Sequence, residues 1–361
     1  MSELSVTVID TPEQLQGLAP QWNELLAASA ADGVFLTWEW MSAWLGCCLK
    51  EGRELFVLCF SERGRPAGVA PFYRERRKGA FGVRTIRFLG APEGGSDYLD
   101  VICRRGCEEQ VAGALYRFLL EEGRGKWDLL HLQDIPADSV FLLRFLERVD
   151  EAGRYLELAP GAYCPALELG ESREDGWPRR ASAGCKKKYE KELALLQREG
   201  EVVHLVEEEA GAASLERFFR LYRAVSGRPG TRLISLLQGY LERRGPREGV
   251  RIDTLAVQGK EIASLLHFRY RDSLFLYLVA VDKTFNPKVS IGHLLLGKCI
   301  LDAGQKGYRR YDFLKGGEPY KFHWAAGGRR SLQVRLWRKT PLGLAEALAR
   351  MARQAGKLLL R

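Results

Sequence analysis

Between residues 252 and 281 the chain runs through three strand-like segments, 252–257, 262–270 and 274–281, joined only by Gln258-Gly259-Lys260 and Arg271-Asp272-Ser273. Connections this short join antiparallel neighbours, because parallel strands need a crossover of a dozen or more residues. The meander is preceded by helical patterns at 215–225 and 233–243. A third helix follows, in which Leu294, Leu295, Leu296, Cys299, Ile300 and Ala303 recur at helical spacing, and then a strand-like run over 308–314. A similar order stands in the first half. There a strand at 5–10, a helix opened by Thr11-Pro12-Glu13 and a helix from 35 precede a hairpin, 55–60 and 68–73, and a strand at 85–89. The loop 90–98 leads into 99–101, and helix 108–122, strand 127–132 and helix 139–151 close that half. Residue identity between the halves is low, so the repeat is one of architecture. The expected fold is mixed α/β, built as two copies of one unit, with domains at 1–160 and 161–361.

A chain of 361 residues with 46% hydrophobic and 28% charged residues has the material for two ordinary cores. No segment approaches the roughly 20 apolar residues that span a bilayer, and Met1-Ser2-Glu3-Leu4 has neither a basic n-region nor an apolar h-region. The eight cysteines form no CxxC pair and the five histidines are scattered, which argues against a zinc site and for reduced thiols. There is no GxGxxG and no Walker loop. A net charge of +9 suits anionic partners: nucleic acid, phosphorylated substrates, a phosphate-bearing cofactor or an acidic membrane face.

The densest chemistry lies in residues 288–324. Lys288-Val289-Ser290-Ile291-Gly292-His293 enters a helix, with Ser290 at the N-cap, and a helix N-terminus receives phosphate readily. Asp312 ends the following strand, and Gly316-Gly317-Glu318-Pro319-Tyr320-Lys321 reads as a loop rich in ionisable groups. Asp312 serves equally well as a base and as the cap of that turn. Lys186-Lys187-Lys188-Tyr189 stands at a helix start, where the dipole disfavours cations unless an anion is bound; a solvated face is the alternative. His267 and Tyr277 lie mid-strand and face either a site or the core. The basic end of the last helix, 357–361, touches anionic lipid or simply follows a helix packed on the body.

With these segments placed, the chain resembles the CelD/BcsL-type acetyltransferases of the GNAT superfamily, near the FemAB-like tandem-GNAT proteins. The resemblance rests on residues 35–44 and Gly68-Val69-Ala70-Pro71-Phe72-Tyr73 in the first half. In the second it rests on the lysine helix, Gly259-Lys260-Glu261-Ile262-Ala263, Ser290-Ile291-Gly292, and Asp312-Phe313 leading to Glu318-Pro319-Tyr320-Lys321. It implies two tandem GNAT-like domains, the first degenerate, and a cytoplasmic N- or O-acyl transfer from acetyl-CoA to a sugar or polysaccharide precursor, without metal. Backbone N–H groups near Val279 and Val281 would face the acyl carbonyl. Ser290, Ile291, Gly292 and His293 would receive the pyrophosphate, with Lys288 adding charge. Asp312 is then the first candidate base, Glu318 the second, and Tyr320 either a proton donor to the leaving thiolate or a ring packed against Trp324. Lys186, Lys187 and Lys188 would hold the phosphate of a nucleotide-linked sugar, with Tyr189 beside them at the substrate, and Lys321 would pair with Glu318 or hold an anionic substrate. The entry loop keeps one glycine of the superfamily's Arg/Gln-x-x-Gly-x-Gly/Ala pattern and lacks the second small residue. FemAB-like relatives take aminoacyl-tRNA as donor instead, so tRNA-dependent transfer stays open, as does a non-catalytic binding protein on the same frame.

Overall fold

Residues 4–50, 52–76, 82–151, 155–170, 177–179, 183–244, 249–325 and 327–359 are described by the computed structural model. Two compact units divide the chain, Met1–Gly161 with Ser331–Arg361, and Ala162–Arg330.

The first unit opens with β1 (Ser5–Ile9), α1 (Pro12–Gln16), α2 (Ala19–Ala27) and α3 (Trp38–Cys48). Thr11 and Thr37 cap α1 and α3, their hydroxyls accepting from the N–H groups of Gln14 and Trp40. The one helix expected after Thr11 is two, because Pro20 has no N–H to carry a continuous helix through and sits instead in the first turn of α2. β2 (Arg53–Leu55), β3 (Val57–Glu62), β4 (Arg65–Ala70) and β5 (Phe72–Arg76) form one long hairpin, followed by β6 (Arg84–Phe88), β7 (Ile102–Cys103), α4 (Glu108–Leu120), β8 (Leu129–Pro136) and α5 (Val140–Glu151). The hairpin is shared between two sheets: β3 and β4 lie between β1 and β7, while β2 and β5 continue through β6 to β8. Of the basic residues at 74–78, positions 77 and 78 lie outside the described residues.

Trp22, Trp40, Trp44 and Trp127 are fully buried, so two of the three tryptophans of α3 are core, while Trp38 is half-buried. Their indole N–H groups are used: Trp40 donates to Ser96 Oγ (2.9 Å) and Trp44 to the Glu93 carbonyl (2.8 Å), which pins the 90–98 loop to α3.

Asp100, just beyond that loop, is 4% exposed and accepts from the Val101 N–H at 2.8 Å. Burial pushes its carboxyl up to about 7, against the pull of hydrogen bonds from Ser139 and Val101. The folded protein therefore keeps a proton that the unfolded chain has lost between an ordinary 3.8 and about 7, and stability falls as pH rises through that window. Asp100→Asn is expected to remove this slope and to exceed the parent by about 2–4 kcal/mol above pH 7. Urea midpoints measured across pH check it; parallel pH profiles for the two proteins would refute it.

β9 (Leu156–Glu168) is one continuous strand, although the sequence itself is strand-like only over 154–158 and 165–169; Arg154 lies outside the described residues. The unit boundary falls inside β9. The second unit then holds α6 (Ala183–Leu196), β10 (Val202–Glu207), α7 (Ala212–Ser226), α8 (Thr231–Arg244), β11 (Val250–Val257), β12 (Lys260–Tyr270), β13 (Ser273–Val281), α9 (Ile291–Gln305), β14 (Arg310–Asp312) and α10 (Pro319–Trp324). Its strands follow the order β10-β11-β12-β13-β14-β9, antiparallel except for β13 and β14. The meander turns at Gln258-Gly259, both at positive φ, the type I′ geometry that suits the strand twist. α9 buries Leu294, Leu295, Leu296 and Ile300 against Leu255, Leu265 and Leu276 of the sheet. The segment expected as a loop over 316–321 becomes α10 from Pro319, where proline's missing N–H has no helical partner to lose.

The chain returns to the first unit through β15 (Gly327–Trp337) and α11 (Pro341–Leu359). β15 is absent from the sequence expectation, since its glycines and arginines mask the alternation of its second half. It pairs with β8 from Ser331↔Pro136 to Trp337↔Leu129. This pairing assigns Ser331–Arg361 to the first unit, so the compact division departs from the expected 161–361. Side chains from residue 353 onward, including the basic end at 357–361, lie outside the described residues. Among the described residues no helix is long and apolar enough to cross a membrane.

Candidate functional site

β13 and β14 stay together for only three residue pairs, ending at Phe275↔Asp312. Beyond that point β13 continues paired with β12, so residues 276–281 leave their other edge without a described strand. A β-bulge lies within this stretch: Leu266 pairs with Leu278 and His267 with Leu276, which leaves Tyr277 as the extra residue. Bulges of this kind re-aim backbone groups at the edge of a sheet. Four residues further on, about 13 Å along the strand, Val281 meets the start of α9. A Cβ on Gly292 would touch only Val281 Cγ2, at 3.4 Å. The open edge thus leads from the bulge to a helix N-terminus.

That N-terminus differs from its expected form. Ser290 occupies the N-cap position, but its hydroxyl makes no capping bond. The Ile291 N–H donates to the Val289 carbonyl (3.0 Å), whereas the N–H groups of Gly292 and His293 have no acceptor among the described residues. Two donors at the positive end of the helix dipole therefore stay available. Ile291 is core, at 2% exposed, and Lys288 is exposed. His293 is buried, and its Nδ1 accepts from Trp324 Nε1 (3.1 Å). Burial, then Lys188, lower its pKa to about 4, so the ring is neutral at pH 7.

Glu192 is the neighbour that sequence reasoning missed. It projects from α6, is 6% exposed, and accepts from the Ser290 N–H through Oε1 (3.3 Å), while Oε2 has no partner among the described residues. Lys188 lies 3.9 Å away on the same helix. Burial raises the Glu192 pKa above the ordinary glutamate range, more than Lys188 and the Ser290 N–H lower it. The lysine run is thus split by the 100° step of the helix: Lys188 leans toward the α9 entry, Lys186 pairs with Glu190 (3.8 Å), and Lys187 is exposed. Tyr189, expected at a substrate, is core instead. It packs edge-on against Trp177 and reaches so close to Gly297 that a Cβ there would lie 2.5 Å from the ring.

Asp312 stands at the apex where β14 leaves β13. It is 1% exposed; Oδ1 accepts from the Leu314 N–H (2.8 Å) and Oδ2 is ion-paired with Arg310 (3.1 Å). Leu314 has φ +53°, a left-handed conformation that a branched residue adopts only when held. Lys321 pairs with Glu318 (3.1 Å), one of its two expected roles, but it is 4% exposed rather than on the surface and donates to the Lys315 carbonyl (2.8 Å) and the Leu314 carbonyl (3.4 Å). Gly316, at φ +142°, makes room for this staple, since a Cβ there would lie 2.6 Å from Lys321 Nζ and inside the Glu318 carboxylate. Glu318 itself keeps a half-exposed side chain (53%). Tyr320 is partly buried; burial, then Glu318, push its hydroxyl up to about 12.

Away from this edge, under α9, Arg251 and Asp253 form a fully buried bidentate pair (2.6 and 2.8 Å). Glu208 and Asp302 also contact Arg251, and His204 contacts Asp253 at 2.9 Å. His267 belongs here, 3.3 Å from Asp253 and 2.6 Å from the Tyr311 hydroxyl, so it faces the core. Burial works against the charge on Asp253, but Arg251, His204 and His267 together hold its pKa well below the ordinary carboxylate range. His204, Asp253 and Cys299 bring metal-ligating atoms within 4.8 Å of one another. Asp253 is committed to Arg251, however, and burial pushes the Cys299 thiol far up, a donor set that suits an ion pair better than a metal.

A family model of the acetyltransferase (GNAT) domain matches residues 183–322, which contain α6, the meander, α9 and the segment 312–321. Among solved structures, FemX aligns over 90% of this chain and 97% of its own at a TM-score of 0.61 and 10% identity. L-PGS from Bacillus licheniformis covers 94% and 96% at 0.55 and 12%. A conserved protein of unknown function from Bacteroides thetaiotaomicron covers 92% and 100% at 0.55 and 8%. At such identities the likeness shows the fold alone. No curated protein matches the sequence.

Proposed function

We propose, from the acetyltransferase (GNAT) domain over residues 183–322, that the protein is an acyltransferase whose second unit takes an acyl thioester along the open edge of β13. The observation that carries this reading is the continuity of a strand edge that has no described strand beside it, a bulge at Tyr277, and the N–H donors of Gly292 and His293, which have no acceptor among the described residues. An acyl carbonyl at the bulge would meet backbone N–H groups as negative charge develops on its oxygen. Val279 and Val281 lie between the bulge and the helix entry, where they would line the donor's arm. An amine or hydroxyl of the acceptor attacks the carbonyl carbon, the new C–N or C–O bond forms, and the C–S bond breaks. The nucleophile's proton passes to a base and the thiolate takes one up. Glu318 is the accessible carboxylate for the first transfer. Tyr320, held protonated by its raised pKa, serves the second, and Asp312 positions the turn that carries both. The substrate class, a sugar or cell-envelope precursor presented by a nucleotide-linked carrier in the cytoplasm, rests on the family resemblance, with Lys187 and Lys188 as its phosphate contacts.

One observation favours a second donor. Glu192, buried beside the α9 entry, is an internal anion where a pyrophosphate would sit, which supports an aminoacyl-tRNA donor, as in FemAB-like relatives. Calorimetric titration with acetyl-CoA separates the two. Saturable binding supports the CoA reading, whereas no binding to any acyl-CoA, together with binding of charged tRNA, replaces it with the second. Glu192→Gln is expected to strengthen acetyl-CoA binding about tenfold by removing that like charge. Protonation does the same, so the parent's affinity rises as pH falls through the raised pKa of Glu192, and the glutamine variant lacks that rise. Equal affinities and equal pH profiles would remove Glu192 from the donor site.

A further inference from the structure

The first unit carries a row of cationic side chains that the acyltransfer reading does not use. On β8, His131 is directly opposite Arg335 of β15. On the other side, the parallel register of β6 and β8, Thr85↔Leu129 and Ile86↔Leu130, runs on to align Arg87 with His131. Three neighbouring strands therefore place an arginine, a histidine and an arginine in one row, and Arg350 of α11 reaches the same place. Glu157 accepts from both Arg335 (3.0 Å) and Arg350 (3.0 and 3.2 Å). Arg87 donates to Glu75, which Arg53 shares, and to Gln133 (3.1 Å), while Arg335 also donates to Gln333 (2.9 Å). Glu346 acts on Arg350 from α11.

These carboxylates do not satisfy the row. His131 is 8% exposed and its Nε2 has no partner among the described residues. Burial, then Arg87 and Arg335, lower its pKa to about 2, with Gln333 as its one supporting contact. Arg335, 9% exposed, is itself held below the ordinary arginine range, by burial first and then by Arg350. Burial is the larger cause in both cases; what points to an anion is the buried His131 Nε2, without a partner among the described residues and set between Arg87 and Arg335. Arg350, with about a third of its side chain exposed (32%), leaves the row reachable from solvent.

We propose that Arg87, His131, Arg335 and Arg350 form an anion-binding site of the first unit, which takes a small oxyanion or the phosphate or carboxylate group of a larger ligand. Each guanidinium carries five N–H donors, more than the bonds to Glu75, Gln133, Glu157 and Gln333 use, and His131 Nε2 supplies a further N–H to the same group. The probe is inorganic phosphate, titrated into the full chain while the His131 ring is followed by NMR, assigned with His131→Gln, with chloride at equal ionic strength as control. A saturable shift of the His131 resonance is expected, with affinity weakened about tenfold in Arg335→Gln and in the rim variant Arg350→Gln. Acetate in a parallel titration tells carboxylate from phosphate preference, and saturation by either supports the site. If neither anion moves the ring more than chloride does, or if the affinity of folded Arg350→Gln and Arg335→Gln equals the parent's, the row is a structural ion network and the proposal is overturned.

Discussion

Arg251→Met is expected to destabilise the second unit by about 3–5 kcal/mol, the range for removing one partner of a buried ion pair. Arg251 and Asp253 are both 0% exposed, and the guanidinium is the cation that contacts both Asp253 oxygens. Without it Asp253 is left buried on β11 with His204 and His267, and a burial-depressed histidine is a poor substitute for an arginine. Glu208 and Asp302 suffer less, because Lys306 reaches both, at 2.8 and 2.9 Å. Against a total stability of about 5–15 kcal/mol such a loss is large. Urea unfolding of the full chain at neutral pH measures it. The companion Arg251→Met/Asp253→Leu should recover most of the loss, since an apolar pair of similar volume carries no desolvation penalty. A loss below about 1 kcal/mol for the single variant would mean that the pair is no more than a surface bridge in effect.

The same pair shows where the sequence stopped being legible. The strand expected over 252–257 begins one residue after Arg251, because a charged residue at a strand end reads as solvated. Only the packing of α9 over β11 reveals that Arg251 and Asp253 face inward. The meander itself was readable, since its turns are too short for any other pairing, and so was α9, whose apolar spacing is regular. β15 was not, because its partner β8 is nearly two hundred residues earlier in the chain and its own glycines and arginines hide the alternation. At the candidate site, the entry at 288–293 and the segment 312–321 were found from local pattern. Their contents needed tertiary contacts: Lys321 reads as a loop lysine until Leu314 and Lys315 turn their carbonyls onto it. Glu192 reads as one more acid on a charged helix until Ser290 is seen to donate to it. A sequence signal for Glu192 did exist in its i,i+4 spacing from Lys188, but that spacing also describes an exposed pair.

Gly292→Glu is expected to abolish binding of acetyl-CoA, weakening it about a hundredfold or more, while leaving the fold at least as stable as the parent. The two halves of this expectation come from the same geometry. A Cβ at position 292 meets only Val281 Cγ2, at an ordinary 3.4 Å, so the added side chain is accommodated and extends away from the core. Glutamate is a better helix former than glycine by somewhat under 1 kcal/mol, and a carboxylate in the first turn interacts favourably with the dipole. The N–H groups of Gly292 and His293, which have no acceptor among the described residues, then gain one from the protein itself. An anionic donor at the α9 entry would face two carboxylates, that of Glu192 and the one introduced at position 292, in place of one. A like-charge contact in a partly buried setting costs several kcal/mol, enough for the hundredfold loss. Calorimetric titration paired with thermal unfolding reads both quantities. Lost binding with an unchanged or raised melting temperature places the donor at α9. Retained binding moves the donor elsewhere on the β13 edge, and lost binding with a collapsed fold shows that Gly292 is required for packing.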